Sequence, residues 1–472
     1  MIDDELDPAA FAQRIPHGFT VGAATAAFQI EGAVREGGRG ESAWDTFMAQ
    51  PGRILDGSTA AIADDHFHRY REDVALMKEL GIDSYRFSLS WPRIQPGGRG
   101  GANREGIAFY DRLLDELLAA GIRPVVTLYH WDTPEELQKK GGWLSRDTAK
   151  RLGDYATLAA EAFGDRVDKW VTINEPTTVT LNGYALGIHA PGEELLFDAL
   201  PAAHHQLLGH GYAVQALRAV GVKGGIGMTN VHSPVVPARD RVTDRYFASI
   251  FDTVHNRIFA DPVLLGSYPK PPFGSGRLFR ALTDVDSGDL ATIHQPLDFY
   301  GLNYYMPTRI RAGSPKSGET PDGEAERMKD VPFSLVEFPE FAKTGFGWPV
   351  APEYFGVALG EVAERYGEAL PPVYITEGGV SYPDARSPNG AFHDARRIDY
   401  LAEHLSVALD GAPGIDVRGY FVWSLLDNWE WAAGFSQRFG LVHVDFDTLA
   451  RTPKDSFRWL QAVLDSRPAP DA

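Results

Sequence analysis

Two glutamates close apolar runs in this chain: Glu175 in Trp170-Val-Thr-Ile-Asn-Glu-Pro176 and Glu377 in Val373-Tyr-Ile-Thr-Glu-Gly-Gly379. Carboxyl groups presented in this way are the minimum equipment for cutting a glycosidic bond. One acid protonates the departing oxygen while the other attacks or stabilises the positive sugar carbon. Pro176 biases Glu175 towards extended backbone, and Gly378 and Gly379 allow a sharp turn behind Glu377. Asn174 beside Glu175, and the matching context of the second glutamate, argue against ordinary surface carboxylates, because charge at the end of an apolar strand needs partners.

Other chemistry-bearing residues end similar runs. His130-Trp131 closes the apolar stretch that begins at Pro124. The segment Phe421-Val-Trp-Ser-Leu-Leu-Asp-Asn-Trp-Glu-Trp431 gathers Trp423, Trp429 and Trp431 around Glu430. Flat apolar rings beside carboxylate and amide acceptors suit the faces and hydroxyls of a pyranose. Thr133-Pro134-Glu135-Glu136 reads instead as a helix start, with Thr133 as N-cap, Pro134 at the first helical position and Glu136 completing a capping box. His66-Phe-His68 and His204-His205 fall on helical patterns, whereas a metal-binding pair would have to converge from a strand end. A metal-dependent barrel hydrolase is therefore the weaker enzyme reading, and neither metal nor cofactor is expected.

Only a fold that collects strand ends at one mouth can unite these residues. Leu80-Gly-Ile-Asp-Ser-Tyr-Arg-Phe-Ser-Leu-Ser-Trp91 and Ala120-Gly-Ile-Arg-Pro-Val-Val-Thr-Leu-Tyr-His-Trp131 repeat one plan: a helix end, Gly-Ile, a β-rich run, then a polar residue and Trp. Tyr110, Leu113, Leu114, Leu117 and Leu118 form a helical stripe before the second, with Gly121 placed to end the helix. Strands are expected near 19–24, 84–90, 124–130, 170–174, 224–229, 298–303, 373–377 and 417–423, separated by helical patterns such as 148–163, 202–220 and 354–366. Eight such units predict an α/β fold, a single (β/α)8 TIM barrel spanning 1–472 with extended βα loops, over a doubly wound sheet. Gly221-Val-Lys-Gly-Gly-Ile-Gly227 reads as a helix end entering the fifth strand rather than a phosphate loop. The polar stretch Ala312–Asp330 reads as a surface insertion, and residues 1–15 and 466–472 are expected to fray.

Acidic residues number 64 against 45 basic, a net charge of −19, which disfavours nucleic acid or an anionic membrane as partner. The absence of cysteine removes thiolate chemistry and disulfides. Met1-Ile-Asp-Asp-Glu-Leu-Asp7 lacks the basic start and apolar run of a signal peptide, and no stretch is apolar enough to span a bilayer, so cytoplasmic residence is the expectation. The oligomeric state is left open.

The chain resembles family 1 glycoside hydrolases, the retaining β-glucosidase family. The likeness is carried by Ala23-Ala-Thr-Ala-Ala-Phe-Gln-Ile-Glu-Gly32, Tyr85-Arg-Phe-Ser-Leu-Ser-Trp91, Tyr129-His-Trp-Asp132, Thr172-Ile-Asn-Glu-Pro176, Gly301-Leu-Asn-Tyr-Tyr305, Ile375-Thr-Glu377 and Arg438-Phe-Gly440. The resemblance implies that Glu175 is the acid/base and Glu377 the nucleophile. It implies that Gln29, His130 with Trp131, Asn174, Glu430 and Trp431 bind the sugar, with Trp423 as its stacking floor. Asn303 and Tyr305 would line the site near the nucleophile, Arg86 and Tyr305 holding Glu377, while Trp348 borders the aglycone entrance and Phe439 closes the sugar pocket. A retaining mechanism sets the two carboxyls roughly 5–5.5 Å apart. The implied substrate is a small-molecule β-glycoside, most simply a β-glucoside or cello-oligosaccharide. A galactoside- or fucoside-preferring enzyme and a sugar-binding pseudoenzyme are the alternatives. Two departures stand out: Gly378 replaces the asparagine usual after the nucleophile, which would loosen its loop, and Val21 stands where the first strand usually carries tryptophan.

Overall fold

The computed structural model describes residues 6–283, 285–315 and 327–468. All eight expected strands are present: β1 (Thr20–Ala24), β2 (Ser84–Ser88), β3 (Arg123–Tyr129), β4 (Lys169–Asn174), β5 (Gly225–Val231), β6 (Phe299–Asn303), β7 (Val373–Gly378) and β8 (Val417–Trp423). They close into a barrel in chain order, every adjacent pair parallel. Helices fill the crossovers, among them His66–Leu80, Arg104–Ala119, Arg146–Phe163, Leu200–Val220, Pro352–Tyr366 and Ala395–Asp410. His66, His204 and His205 thus lie on helices, as their patterns suggested.

Local chemistry explains these elements. In Arg104–Ala119, Asn103 caps the start by accepting from the Glu105 amide, and Phe109, Tyr110, Leu113, Leu114 and Leu117 are buried. Leu118, assigned to the same stripe, is 42 % exposed; the buried stripe is bounded by Phe109 on its opposite edge. Gly121 ends the unit with φ +79°, where a side chain would be strained. Inside the barrel, Gly22 and Gly227 leave space that the rings of Phe421 and Phe299 fill, each ring lying within 2.6 Å of where a Cβ would stand. One buried cluster joins Val125, Val171, Phe299 and Phe421 to Trp423, Trp429, Trp431 and Phe439.

Three expectations change. The capping box at Thr133 is not formed: Pro134 is itself the N-cap of the turn Glu135–Gln138, and the Thr133 hydroxyl is bonded to Tyr129 at 2.8 Å. Residues 1–5 lie outside the described ones, and the fraying expected over 1–15 does not hold for residues 6–15, where Pro8–Ala12 is a helix capped by Asp7. Its Phe11 meets Trp459 edge-on at 5.4 Å, and Trp459 donates to the Leu6 carbonyl. Towards the other end, Arg467 pairs with Asp83 at 2.8 Å, while residues 469–472 lie outside the described ones. The stretch from Ala312 to Asp330 joins strands Thr308–Ala312 and Phe333–Leu335 of a small three-stranded sheet; positions 316–326 of it lie outside the described residues.

The two strands that carry the glutamates are irregular. The β4–β5 register shifts between Val171 and Asn174. The β7 register shifts between Ile375 and Glu377 against β6, and between Ile375 and Gly378 against β8. Such bulges re-aim the side chains that follow them.

Candidate active site

Glu175 and Glu377 are 5 % and 3 % exposed. Glu175 departs from the expected extended geometry: it sits at φ 46°, ψ 66°, immediately before the helical turn Pro176–Thr178. Right-handed helical backbone is disfavoured before proline, and where the chain pivots from strand into helix Glu175 takes the left-handed region rather than the extended one. Trp131 and Trp431 share this conformation, at φ 74° and 50°. Non-glycine residues in that region cost about 1 kcal/mol or more each and gather where a site imposes them. Behind Glu377 the expected sharp turn is absent: Gly378 is still in the strand, Gly379 is in no turn, and neither has positive φ. Both answer close approach instead. A Cβ at Gly379 would meet the Trp423 carbonyl oxygen at 1.7 Å, and one at Gly378 the Tyr420 hydroxyl at 2.3 Å.

A single hydrogen-bonded chain links the two carboxyls. Arg86 Nη1 donates to Glu377 Oε1, and Nη2 donates to Asn174 Oδ1 at 2.7 Å. Tyr305 donates to Glu377 Oε2 at 2.7 Å. Asn303 Nδ2 donates to Asn174 Oδ1 at 3.2 Å and to Glu175 Oε1 at 2.6 Å. Asn303, expected near the nucleophile, does pair with Glu377 through the backbone register, yet its amide serves Glu175. Thr178, which sequence reasoning missed, donates to Glu175 Oε2 at 2.8 Å. A hydroxyl three residues beyond Glu175, on the turn that Pro176 opens, was the available signal.

The remaining expected residues continue the same wall. Gln29 Nε2 donates to Glu430 Oε2 at 3.1 Å and to Asn428 Oδ1 at 2.9 Å; Asn428 was not anticipated. Trp131 Nε1 donates to the Asn174 carbonyl at 2.9 Å, and its ring lies 4.5 Å from that of Trp431. The His130 imidazole lies 3.2 Å from the Asn174 amide and stacks at 5.9 Å on both Trp423 and Trp431. Tyr305 packs edge-on against Trp348 at 5.8 Å and Phe439 at 6.4 Å. Phe346, also unanticipated, lies parallel to Trp348 at 4.6 Å.

Burial dominates the electrostatics. It pushes the Glu175 carboxyl up to about 7, with the neighbouring Glu377 adding to the rise and the donors Asn303 and Thr178 opposing it. Glu430 is pushed up to about 8, first by burial and then by Glu377. The His130 imidazole is driven well below its usual range by burial and by Arg86, leaving a neutral ring. Burial and Glu377 raise the Tyr305 hydroxyl, which keeps it a donor. The mouth therefore combines a carboxylate served by two donors, a carboxylic acid poised near neutrality and a wall of aromatic rings. That set can deliver a proton to one side of a bond while attacking from the other.

Residues 11–468 match glycosyl hydrolase family 1. β-Glucosidase A of Acetivibrio thermocellus is 42 % identical over 95 % of this chain and 98 % of its own length. The bifunctional β-D-glucosidase/β-D-fucosidase of Bifidobacterium breve is 41 % identical over 95 % and 98 %. The solved family 1 β-glucosidase from Thermotoga maritima matches with a TM-score of 0.88 at 39 % identity, covering 97 % of this chain and 99 % of that one.

Proposed function

The chain belongs to glycosyl hydrolase family 1, and on that premise we propose a retaining β-glucosidase in which Glu377 is the nucleophile and Glu175 the acid/base. In the first step a Glu377 oxygen bonds to the anomeric carbon as the bond to the aglycone oxygen breaks. That oxygen keeps the electron pair and takes the proton of Glu175. In the second step water bonds to the same carbon and passes a proton to the Glu175 carboxylate, and the bond to Glu377 breaks with its electrons returning to the carboxylate. The observation that carries the reading is the contrast between the carboxyls. Arg86 and Tyr305 both donate to Glu377, as an attacking carboxylate requires, whereas burial lifts Glu175 to about 7, as a proton donor requires. Loss of the Glu377 charge on glycosylation makes Glu175 a stronger acid, so its carboxylate is free to serve as base.

Gln29, His130, Asn174, Glu430 and Trp431 hold the glycone in this proposal, Trp423 supports its apolar face, and Trp348 with Phe346 flanks the aglycone. β-Glucosides and cello-oligosaccharides are the favoured substrates, with a role in oligosaccharide breakdown in the cytoplasm. Among the described residues no helix is long and apolar enough to cross a membrane. The fucosidase activity in the name of the Bifidobacterium relative makes β-fucosides a second substrate class to assay. Replacing Glu377 by Gly should abolish turnover of aryl β-glucosides, and near-native turnover would end the assignment. Replacing Glu175 by Ala should slow poor leaving groups more than good ones, with azide restoring turnover as a β-glycosyl azide. Equal losses without azide rescue would remove the acid/base role.

A further inference from the structure

The atom of Glu175 that carries its proton follows from Arg86, which can only donate hydrogen bonds. The Asn174 atom that Arg86 meets at 2.7 Å is therefore the amide oxygen. That oxygen only accepts, so the Asn303 atom 3.2 Å from it is the amide nitrogen. The Thr376 hydroxyl, donating at 2.7 Å to the other end of the Asn303 amide, agrees with this orientation. The same Asn303 nitrogen lies 2.6 Å from Glu175 Oε1. Oε1 thus faces a permanent donor, and a proton there would oppose it. The acid proton belongs on Oε2, whose partner is the Thr178 hydroxyl at 2.8 Å. A hydroxyl, unlike an amide nitrogen, can accept from a carboxylic acid and then rotate to donate to a carboxylate.

We propose that Glu175 exchanges its proton through Oε2, and that Thr178 is a positioning residue whose hydroxyl reverses its hydrogen bond between the two half-reactions. Before glycosylation Thr178 accepts from the Oε2 proton. As that proton passes to the aglycone oxygen, Thr178 turns and donates to the carboxylate left behind. Water then returns a proton to Oε2 while its oxygen bonds to the anomeric carbon, and Thr178 turns back. The inference rests on Glu175 being the acid/base. Donation to a carboxylate is charge-assisted and the stronger of the two bonds, so Thr178 favours the ionised form on balance. The ionisable groups around Glu175 are Glu377 from β7, Arg86 from β2, Tyr305 beyond β6, Glu430 beyond β8 and the neutral His130 beyond β3. The helical segment at Thr253–Arg257 contributes the His255 carbonyl, which accepts from Thr177 at 3.0 Å. The hydrogen bond of the Thr178 hydroxyl goes to Glu175 and, among the described residues, to none of these groups.

The test is the pH dependence of Thr178→Val, with Thr178→Ala as a second removal and Thr178→Ser as the conservative control. Without the hydroxyl the ionised form loses a donor, so the alkaline limb of kcat/KM moves up by roughly 0.5–1 pH unit. On a dinitrophenyl β-glucoside, whose good leaving group makes the second step limiting, kcat falls about tenfold as base catalysis is lost in part. Thr178→Ser restores both. Rates lowered equally at every pH, with the limb unmoved in both Val and Ala variants, would overturn the proposal. Glu175→Ala measured alongside separates the two levels of inference. Azide rescue with an unmoved Thr178 limb removes only the role of Thr178, whereas failure of azide rescue removes the acid/base reading beneath it.

Discussion

Gly378 decides whether the departure after Glu377 is a loosening of the loop or a demand of packing, and Gly378→Ala distinguishes the two. A Cβ at this position would stand 2.3 Å from the Tyr420 hydroxyl oxygen and 2.9 Å from the ring carbon bearing it. Ordinary contact begins near 3.4 Å, so about 1 Å must be found by moving the ring or the strand. Tyr420 is 1 % exposed and cannot swing into solvent. Overpacking of a buried site costs about 1–3 kcal/mol. With unfolding entropy of about 2.1 cal/mol/K per residue, a chain of this length loses only roughly 1–3 °C in Tm. The effect on activity is larger, because the displaced strand carries Glu377, the proposed nucleophile, one residue before its end, and a 1 Å error at a reacting group costs about 100-fold. Tyr420→Phe removes the nearer atom, and among the described residues its hydroxyl has no hydrogen-bond partner to lose, so that change alone is nearly neutral. In the double variant the remaining 2.9 Å contact leaves part of the strain, and both Tm and kcat recover in part. Calorimetry and steady-state kinetics on the four proteins form a double-mutant cycle with an expected coupling of about 1 kcal/mol. Strictly additive effects would refute the packing argument. A rise in Tm of Gly378→Ala, as a glycine in an unstrained loop gives, would refute it more directly.

Three further outcomes follow from the same geometry. Glu175→Gln raises Tm at pH 8 and the gain fades towards pH 5: the native carboxyl, raised to about 7, holds its proton below that value while the unfolded one ionises above its ordinary range, so native stability falls as pH rises through 7; a gain independent of pH would contradict this. Arg86→Met removes the cation from Glu377 and the donor from Asn174, and kcat on aryl β-glucosides drops by about 10²–10³. Lys454, fully buried between Asp384 and Asp427, supports the loop through Asp427, which also accepts from the Gly440 amide beside Phe439. Lys454→Met therefore costs about 3–5 kcal/mol of stability in denaturant titrations, with KM rising more than kcat falls.

The barrel was legible because its strands repeat one plan: a helix stripe, glycine, an apolar run and a functional residue at the end. Leu113 and Leu117 announce their helix through period, and Gly121 announces its end. The two glutamates stood out for the same reason, since Glu175 and Glu377 interrupt apolar runs where burial without a purpose would be costly, and both are buried at the barrel mouth. What period cannot register is the pivot of Glu175 into left-handed backbone, which arises only when β4 meets the turn opened by Pro176. Likewise the glycines after Glu377 suggested a turn, whereas the Trp423 carbonyl and the Tyr420 ring, brought by β8, are what exclude side chains there. Thr178 and Asn428 escaped notice because a threonine or asparagine acquires its meaning from the polar atom opposite. The box expected at Thr133 failed for a local reason: the helical turn starts one residue later, with Pro134 as its N-cap, and the Thr133 hydroxyl meets Tyr129 instead.

Glu175, Glu377 and Glu430 share one mouth, and with two of the three raised to about 7 and about 8, the mouth holds fewer negative charges near neutrality than it has carboxyls. It is therefore a proton store whose filling depends on the charge placed inside it. A neutral sugar leaves the stored protons in place. A sugar-sized ammonium ion, standing where positive charge develops on the anomeric carbon, favours the ionised carboxyls and drives protons into solution. Binding of such a cation should thus release protons near neutral pH, visible in calorimetry as a heat that scales with the ionisation enthalpy of the buffer. The passing charge of the transition state would draw on the same store.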